Sequence, residues 1–176
     1  VNVDRHEEPL RSLFYKDPES LARLDCVAST DLPEPFRQLL DHHAHMTVTV
    51  EQFHGGPVSV QVLQQRFEGE RYLREIVLRT TAESPKVVLY GIVDLNLAVL
   101  DPQVRSEILA GETPLGRILI ARQVMRKVTL ERLYRVTPGP QLHRLMEGCH
   151  GPLFGRSARI DLNGHPALKL LEIVGI

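Results

Sequence analysis

Two full charges stand among apolar neighbours in stretches that read as strand. Taken two residues apart, one stretch gives Tyr72, Arg74, Ile76, Leu78 and Thr80, and another gives Pro166, Leu168, Leu170, Glu172 and Val174. Successive side chains of a strand point to opposite faces, so each set shares one face. Arg74 and Glu172 therefore each sit on a face otherwise fit for a core. Desolvating an ion is expensive even after the protein relaxes around it, so a buried charge needs a partner. Two readings follow. Either Arg74 and Glu172 form a structural pair, or they line a pocket. In the pocket Arg74 is a fixed cation for an anionic ligand and Glu172 a carboxyl for proton work. Burial moves a carboxyl's pKa towards neutrality, where it can donate as well as accept a proton.

Other chemistry-bearing residues carry less. Pro114-Leu115-Gly116 reads as a helix start, whose free backbone N–H groups could face an anion. His42, His43 and His45 cluster ahead of Met46, but their spacing fits neither the i, i+4 helical metal pair nor a strand pair with further ligands nearby. No metal site is expected there; a polar loop with solvated or capping histidines is. His54 and His165 adjoin turn residues and read as surface. Cys149 lies beside Gly148 and His150 with no triad partner in view, so a catalytic cysteine is not expected.

The elements that must position Arg74 and Glu172 come from periodicity. Residues 1–40 read as an N-terminal arm with one or two short helices, punctuated by Pro33 and Pro35. From Met46 to Val50 apolar residues alternate with Thr47 and Thr49, which predicts a first strand. Val58 to Leu63, Tyr72 to Thr80 and Lys86 to Leu100 continue the alternation as an antiparallel meander. Val104, Ile108 and Leu109 then follow a helical period that stops at Gly111. A further short helix begins at Thr113-Pro114, with Thr113 as its N-cap. Val124 to Val136 is again strand, and Leu142 to Gly148 a brief helix. Asn163-Gly164 between Arg159–Leu162 and Ala167–Val174 predicts a two-residue type I′ hairpin. The expectation is an α+β fold: an antiparallel sheet of about six strands with helices on one side.

Composition narrows the function classes. The 176 residues suit a single domain, 1–176, in which 41–176 form the core. Twenty-one Lys and Arg against 22 Asp and Glu give a net charge of −1, without the basic excess of a nucleic-acid binder. No apolar run reaches the length of a membrane span, and the charged first thirty residues hold no apolar leader. Two cysteines make neither a disulfide framework nor a zinc site. A cytoplasmic protein with a small-molecule partner, no nucleic acid and no membrane is expected; the oligomeric state stays open.

Five segments, in the same order along the chain, together resemble the chorismate pyruvate-lyase (4-hydroxybenzoate synthase) family in its broader chorismate lyase-like form. They are His45-Met46-Thr47, Tyr72-Leu73-Arg74-Glu75-Ile76, Thr113-Pro114-Leu115-Gly116-Arg117, Gly155-Arg156-Ser157 with Arg159, and Asn163-Gly164-His165-Pro166 running to Leu171-Glu172-Ile173. The resemblance spans residues 35–174. It implies an enclosed ligand pocket and cofactor-free elimination of pyruvate from chorismate to give 4-hydroxybenzoate. It also implies roles. Arg74 binds the ring carboxylate with the backbone N–H groups of Leu115 and Met46, Gly116 adjoins them, and Glu172 lies near the enolpyruvyl ether. For the second carboxylate the candidates are Arg156, Arg159, Arg117 or a loop histidine. The chain departs from the family pattern at Tyr72, where the bacterial lyases often carry tryptophan, and at Val88–Ile92, which lacks an arginine. A non-catalytic module of the same fold, binding aromatic acids like the sensing domains of transcription regulators, is the competing expectation.

Overall fold

Asn163 and Gly164 both take positive φ, 51° and 82°. That is the backbone a two-residue type I′ turn requires, and glycine adopts it without a Cβ penalty. The turn joins β6 (Leu153–Leu162) to β7 (His165–Val174), as the sequence predicts. The computed structural model describes residues 9–147 and 149–176. The charged start of the arm, residues 1–8, and Gly148 lie outside the described residues.

The other strands are β1 (Ala22–Val27), β2 (Val58–Glu68), β3 (Arg71–Thr80), β4 (Val87–Asn96) and β5 (Arg126–Pro138). The helices are α1 (Pro18–Leu21), α2 (Phe36–Leu40), α3 (Met46–His54), α4 (Pro102–Ala110), α5 (Leu115–Ala121) and α6 (Pro140–Leu145). All the strands join one sheet in the order β1-β5-β6-β7-β4-β3-β2. Every neighbouring pair is antiparallel. Two meanders, β2-β3-β4 and β5-β6-β7, thus meet where β4 pairs with β7. The protein is α+β, with seven strands among the described residues rather than about six.

Three expectations are corrected. Met46–Val50 is not strand but the start of α3. Met46, Thr47 and Val50 are the buried residues of that helix, a helical spacing, and Gly55 caps it in the left-handed region at φ 71°. Packing against α2 and α5 overrides the β-branched alternation, because tertiary burial outweighs weak local propensity. The strand that takes its place in the count is β1, where Ala22 and Leu24 are buried and pair along β5 opposite Pro138 and Val136. Secondly, α5 begins one residue later than expected, with Pro114 rather than Thr113 at the N-cap and no capping side chain.

The third correction concerns the helices, which cover both faces of the sheet. One face packs against α2, α3, α4 and α5 through two clusters, around Phe36, Leu39, Met46 and Ile76 and around Val104, Ile108, Ile118 and Leu170. The other is covered by the 3₁₀ turn Pro9–Leu13, α1 and α6, whose Leu10, Leu21 and Leu142 pack with Val77, Tyr90 and Ile92. The reason lies in β3 and β4. Their residues Tyr72–Leu78 and Val87–Val93 are buried on both faces, so both need cover. On the second face Glu75 is buried and fully partnered. It accepts from Tyr90 Oη at 2.6 Å, Gln64 Nε2 at 2.8 Å and Tyr15 Oη. Burial, and then the carboxylate itself, push both phenols' pKa values up, so both remain donors.

Candidate functional site

Arg74 and Glu172 lie on the same face of the sheet, one strand apart. Arg74 is opposite Val93 on β4, and Glu172 is opposite Gly91 on the other edge of that strand. Both border one cavity between the sheet and the helices. Ile76 and Leu78 of β3, Gly91 and Val93 of β4, and Ile160 and Leu170 of β6 and β7 make its apolar floor. His45, Met46 and Thr47 at the start of α3, and Pro114, Leu115 and Gly116 at the start of α5, make its cover. The two helices close over it tightly. A Cβ on Gly116 would stand 2.9 Å from Thr47 Oγ1 and 3.2 Å from Thr47 Cβ, so only glycine allows the approach. Across the same contact Arg117 donates to Glu51 at 2.7 Å.

The two charges do not pair with each other. Glu172 Oε2 accepts from Arg156 Nε at 2.7 Å, and that guanidinium is only 1% exposed. Arg156 Nη1 also donates to the carbonyls of His42 at 3.0 Å and Leu40 at 3.3 Å. Arg156 therefore fastens the end of α2 and the following loop to the sheet, and its charge is matched. Arg74 is different. It is 2% exposed, forms no ion pair among the described residues, and reaches one carbonyl, that of Ile108, at 3.5 Å. Its Nε has no partner among the described residues. Burial pushes the guanidinium's pKa down, with the nearby Tyr72 hydroxyl a partial offset. A guanidinium still keeps its charge in a protein.

Of the residues singled out in sequence, Arg74, Met46, Leu115, Gly116, Arg156 and Glu172 border this cavity. Of the candidates for a second carboxylate, Arg117 and Arg159 do not, being engaged by Glu51 and by Glu131 at 2.6 Å. The three loop histidines part company. His42 Nε2 donates to Leu39 O at 2.8 Å while its Nδ1 accepts from Ala44 N–H at 3.1 Å. His43 Nδ1 meets Val128 O at 3.1 Å. Of the three, His45 alone borders the cavity, 5% exposed, with Nε2 shut off from solvent and unpartnered among the described residues. Among the described residues no three His, Cys, Asp or Glu side chains could together hold a metal ion. No described helix is long and apolar enough to cross a membrane.

Sequence reasoning did not single out His45, which it left among the loop histidines as one of several candidates for a second carboxylate. The available signal was adjacency to Met46. The cover adds backbone donors. The first N–H groups of a helix have no intrahelical acceptor, and neither α3 nor α5 carries a capping side chain. The cavity thus gathers donors with one carboxylate, Glu172, that is already taken. The donors and the apolar floor are complementary in chemistry to an oxyanion attached to an apolar body. No family model matches the chain, and no curated protein matches it either.

Proposed function

We propose that the cavity binds an aromatic or pre-aromatic carboxylic acid and that the protein is a chorismate pyruvate-lyase-type enzyme, needing no cofactor. The observation that carries the reading is Arg74, a buried guanidinium without a counter-charge among the described residues in an otherwise apolar chamber. A ligand carboxylate satisfies Nε and neutralises the charge, while a six-membered ring suits the floor of Ile76, Leu78, Val93 and Leu170.

In chorismate the ring carbon–oxygen bond to the enolpyruvyl group breaks, and the hydrogen on the neighbouring ring carbon, the one bearing the hydroxyl, is lost. The departing group gains a proton on its methylene carbon to become pyruvate, and the ring becomes 4-hydroxybenzoate. Aromaticity supplies much of the driving force. The protein's part is to hold the carboxylate on Arg74, exclude water and assist the proton, which is catalysis by positioning and electrostatics. Glu172, at the far side of Gly91 from Arg74, is the group within the cavity suited to that proton.

The Arg156–Glu172 pair favours a second reading, a module of the same fold that binds an aromatic acid without reacting it. A carboxylate already held by a guanidinium is a poorer proton carrier than an isolated one. Incubation of the purified protein with chorismate, with pyruvate and 4-hydroxybenzoate quantified together, separates the two. Equimolar products above the spontaneous rate support the enzyme. Saturable binding of 4-hydroxybenzoate with no turnover supports the module, and the absence of both removes the proposal.

A further inference from the structure

We propose that His45 is a ligand-binding residue of this cavity, supplying through Nε2–H a second side-chain donor to the carboxylate that Arg74 holds. The inference deepens the proposed function and rests on its reading of Arg74.

Arg74 and His45 both border this cavity, and each has a buried side-chain nitrogen, Nε and Nε2, without a partner among the described residues. Buried polar atoms are nearly always satisfied, so an orphan of this kind calls for an acceptor outside the chain. Two in one chamber call for the same acceptor. His45 also has no local task to explain its burial. It occupies the N-cap position of α3, yet its side chain makes no capping hydrogen bond. Desolvation, with Arg126 and Arg156 nearby, holds its imidazole down to about pKa 4. The ring is therefore neutral at pH 7 and offers one N–H without bringing a second charge into the chamber. A neutral N–H beside a single guanidinium suits one carboxylate, and the first amides of α3, adjacent in sequence, extend the same cradle. The predicted preference is for the acid over its uncharged amide. An amide is uncharged and places an NH2 where the acid has its second oxygen, so it neither neutralises Arg74 nor offers both donors a charged acceptor.

The test uses 4-hydroxybenzoate and 4-hydroxybenzamide as probes in calorimetric titrations of the parent, His45→Leu and His45→Gln. Leucine fills the site without a donor, whereas glutamine keeps an N–H at similar reach. His45→Leu should weaken the acid by about tenfold or more and the amide far less, since a hydrogen bond to a charged group is the strong kind. It should melt at the parent's temperature or above, because it removes an unsatisfied buried atom. His45→Gln should recover much of the affinity and of the preference for the acid. Parent-like binding of the acid by His45→Leu overturns the inference and leaves the reading of Arg74 intact. Should the leucine variant not fold, equal loss of acid and amide by His45→Gln overturns it as well. If the parent binds neither probe, the reading of the cavity falls and this inference with it.

Discussion

Arg74→Met should make the free protein more stable and unable to hold its ligand. Methionine keeps the apolar stem of the side chain but removes a guanidinium whose Nε has no partner among the described residues and whose hydrogen bond to Ile108 O is 3.5 Å long. Relieving an unmatched buried charge is worth about 2 kcal/mol. For a chain of this length that raises Tm by roughly 4–8 °C, at about 2–4 °C per kcal/mol. Ligand reverses the order. At a hundredfold excess over Kd, 4-hydroxybenzoate stabilises the parent by about 2.7 kcal/mol. The variant should gain little, so the parent becomes the more stable of the two. Paired thermal melts, with and without ligand, read both effects in one experiment. A free variant that melts below the parent, or one that ligand stabilises as much as the parent, would refute the reasoning. Arg74 would then be a structural residue.

Glu172→Gln should behave in the opposite sense in the free protein. It strips the carboxylate from Arg156 at 2.7 Å and leaves a guanidinium that is 1% exposed facing neutral groups, two carbonyls and the His42 ring. A loss towards the low end of about 3–5 kcal/mol is expected in chemical denaturation. In turnover assays the same variant should lower kcat while affinity for 4-hydroxybenzoate stays near the parent's. Gly116→Ala should destabilise by about 1–3 kcal/mol despite alanine's better helix propensity, since its Cβ meets Thr47 Oγ1 at 2.9 Å. Adding Thr47→Ala, which removes that hydroxyl, should recover part of the loss in the same assay. Acid should weaken the fold through histidine. Burial lowers the pKa of His42, His45 and His54, so below about pH 6.5 the unfolded chain takes up protons that the folded chain refuses. Tm should fall from about pH 6.5 towards pH 4, and His45→Leu should flatten that fall.

The two halves of the molecule differ in how far they can be read from sequence. Period-two alternation finds β3 and β7, and the Asn163-Gly164 turn fixes β6 beside β7. The same alternation fails at Met46–Val50, where the buried set Met46, Thr47 and Val50 is helical and only contact with α2 and α5 selects it. β1 escapes notice for the converse reason. It is a short edge strand carrying Arg23 and Asp25, and its alternation of Ala22 and Leu24 gains meaning only beside β5. The site follows the same division. Arg74 and Glu172 are legible as charges on apolar faces, because burial without a partner is improbable for either. That Glu172 belongs to Arg156 is not legible, since the pairing depends on the register of β6 against β7. Nor is the isolation of His45 from His42 and His43, whose rings meet the carbonyls of Leu39 and Val128 while His45 Nε2 meets none among the described residues.

The crystal structure of the protein with 4-hydroxybenzoate tests most directly whether this cavity is a receptor for an aromatic carboxylate. The expected result is one carboxylate oxygen within about 3 Å of Arg74 Nε, the ring over Ile76, Val93 and Leu170, and the hydroxyl on the side of Glu172. A ligand bound elsewhere, or a cavity still empty of it at saturating concentration with Arg74 unchanged, would contradict the assignment.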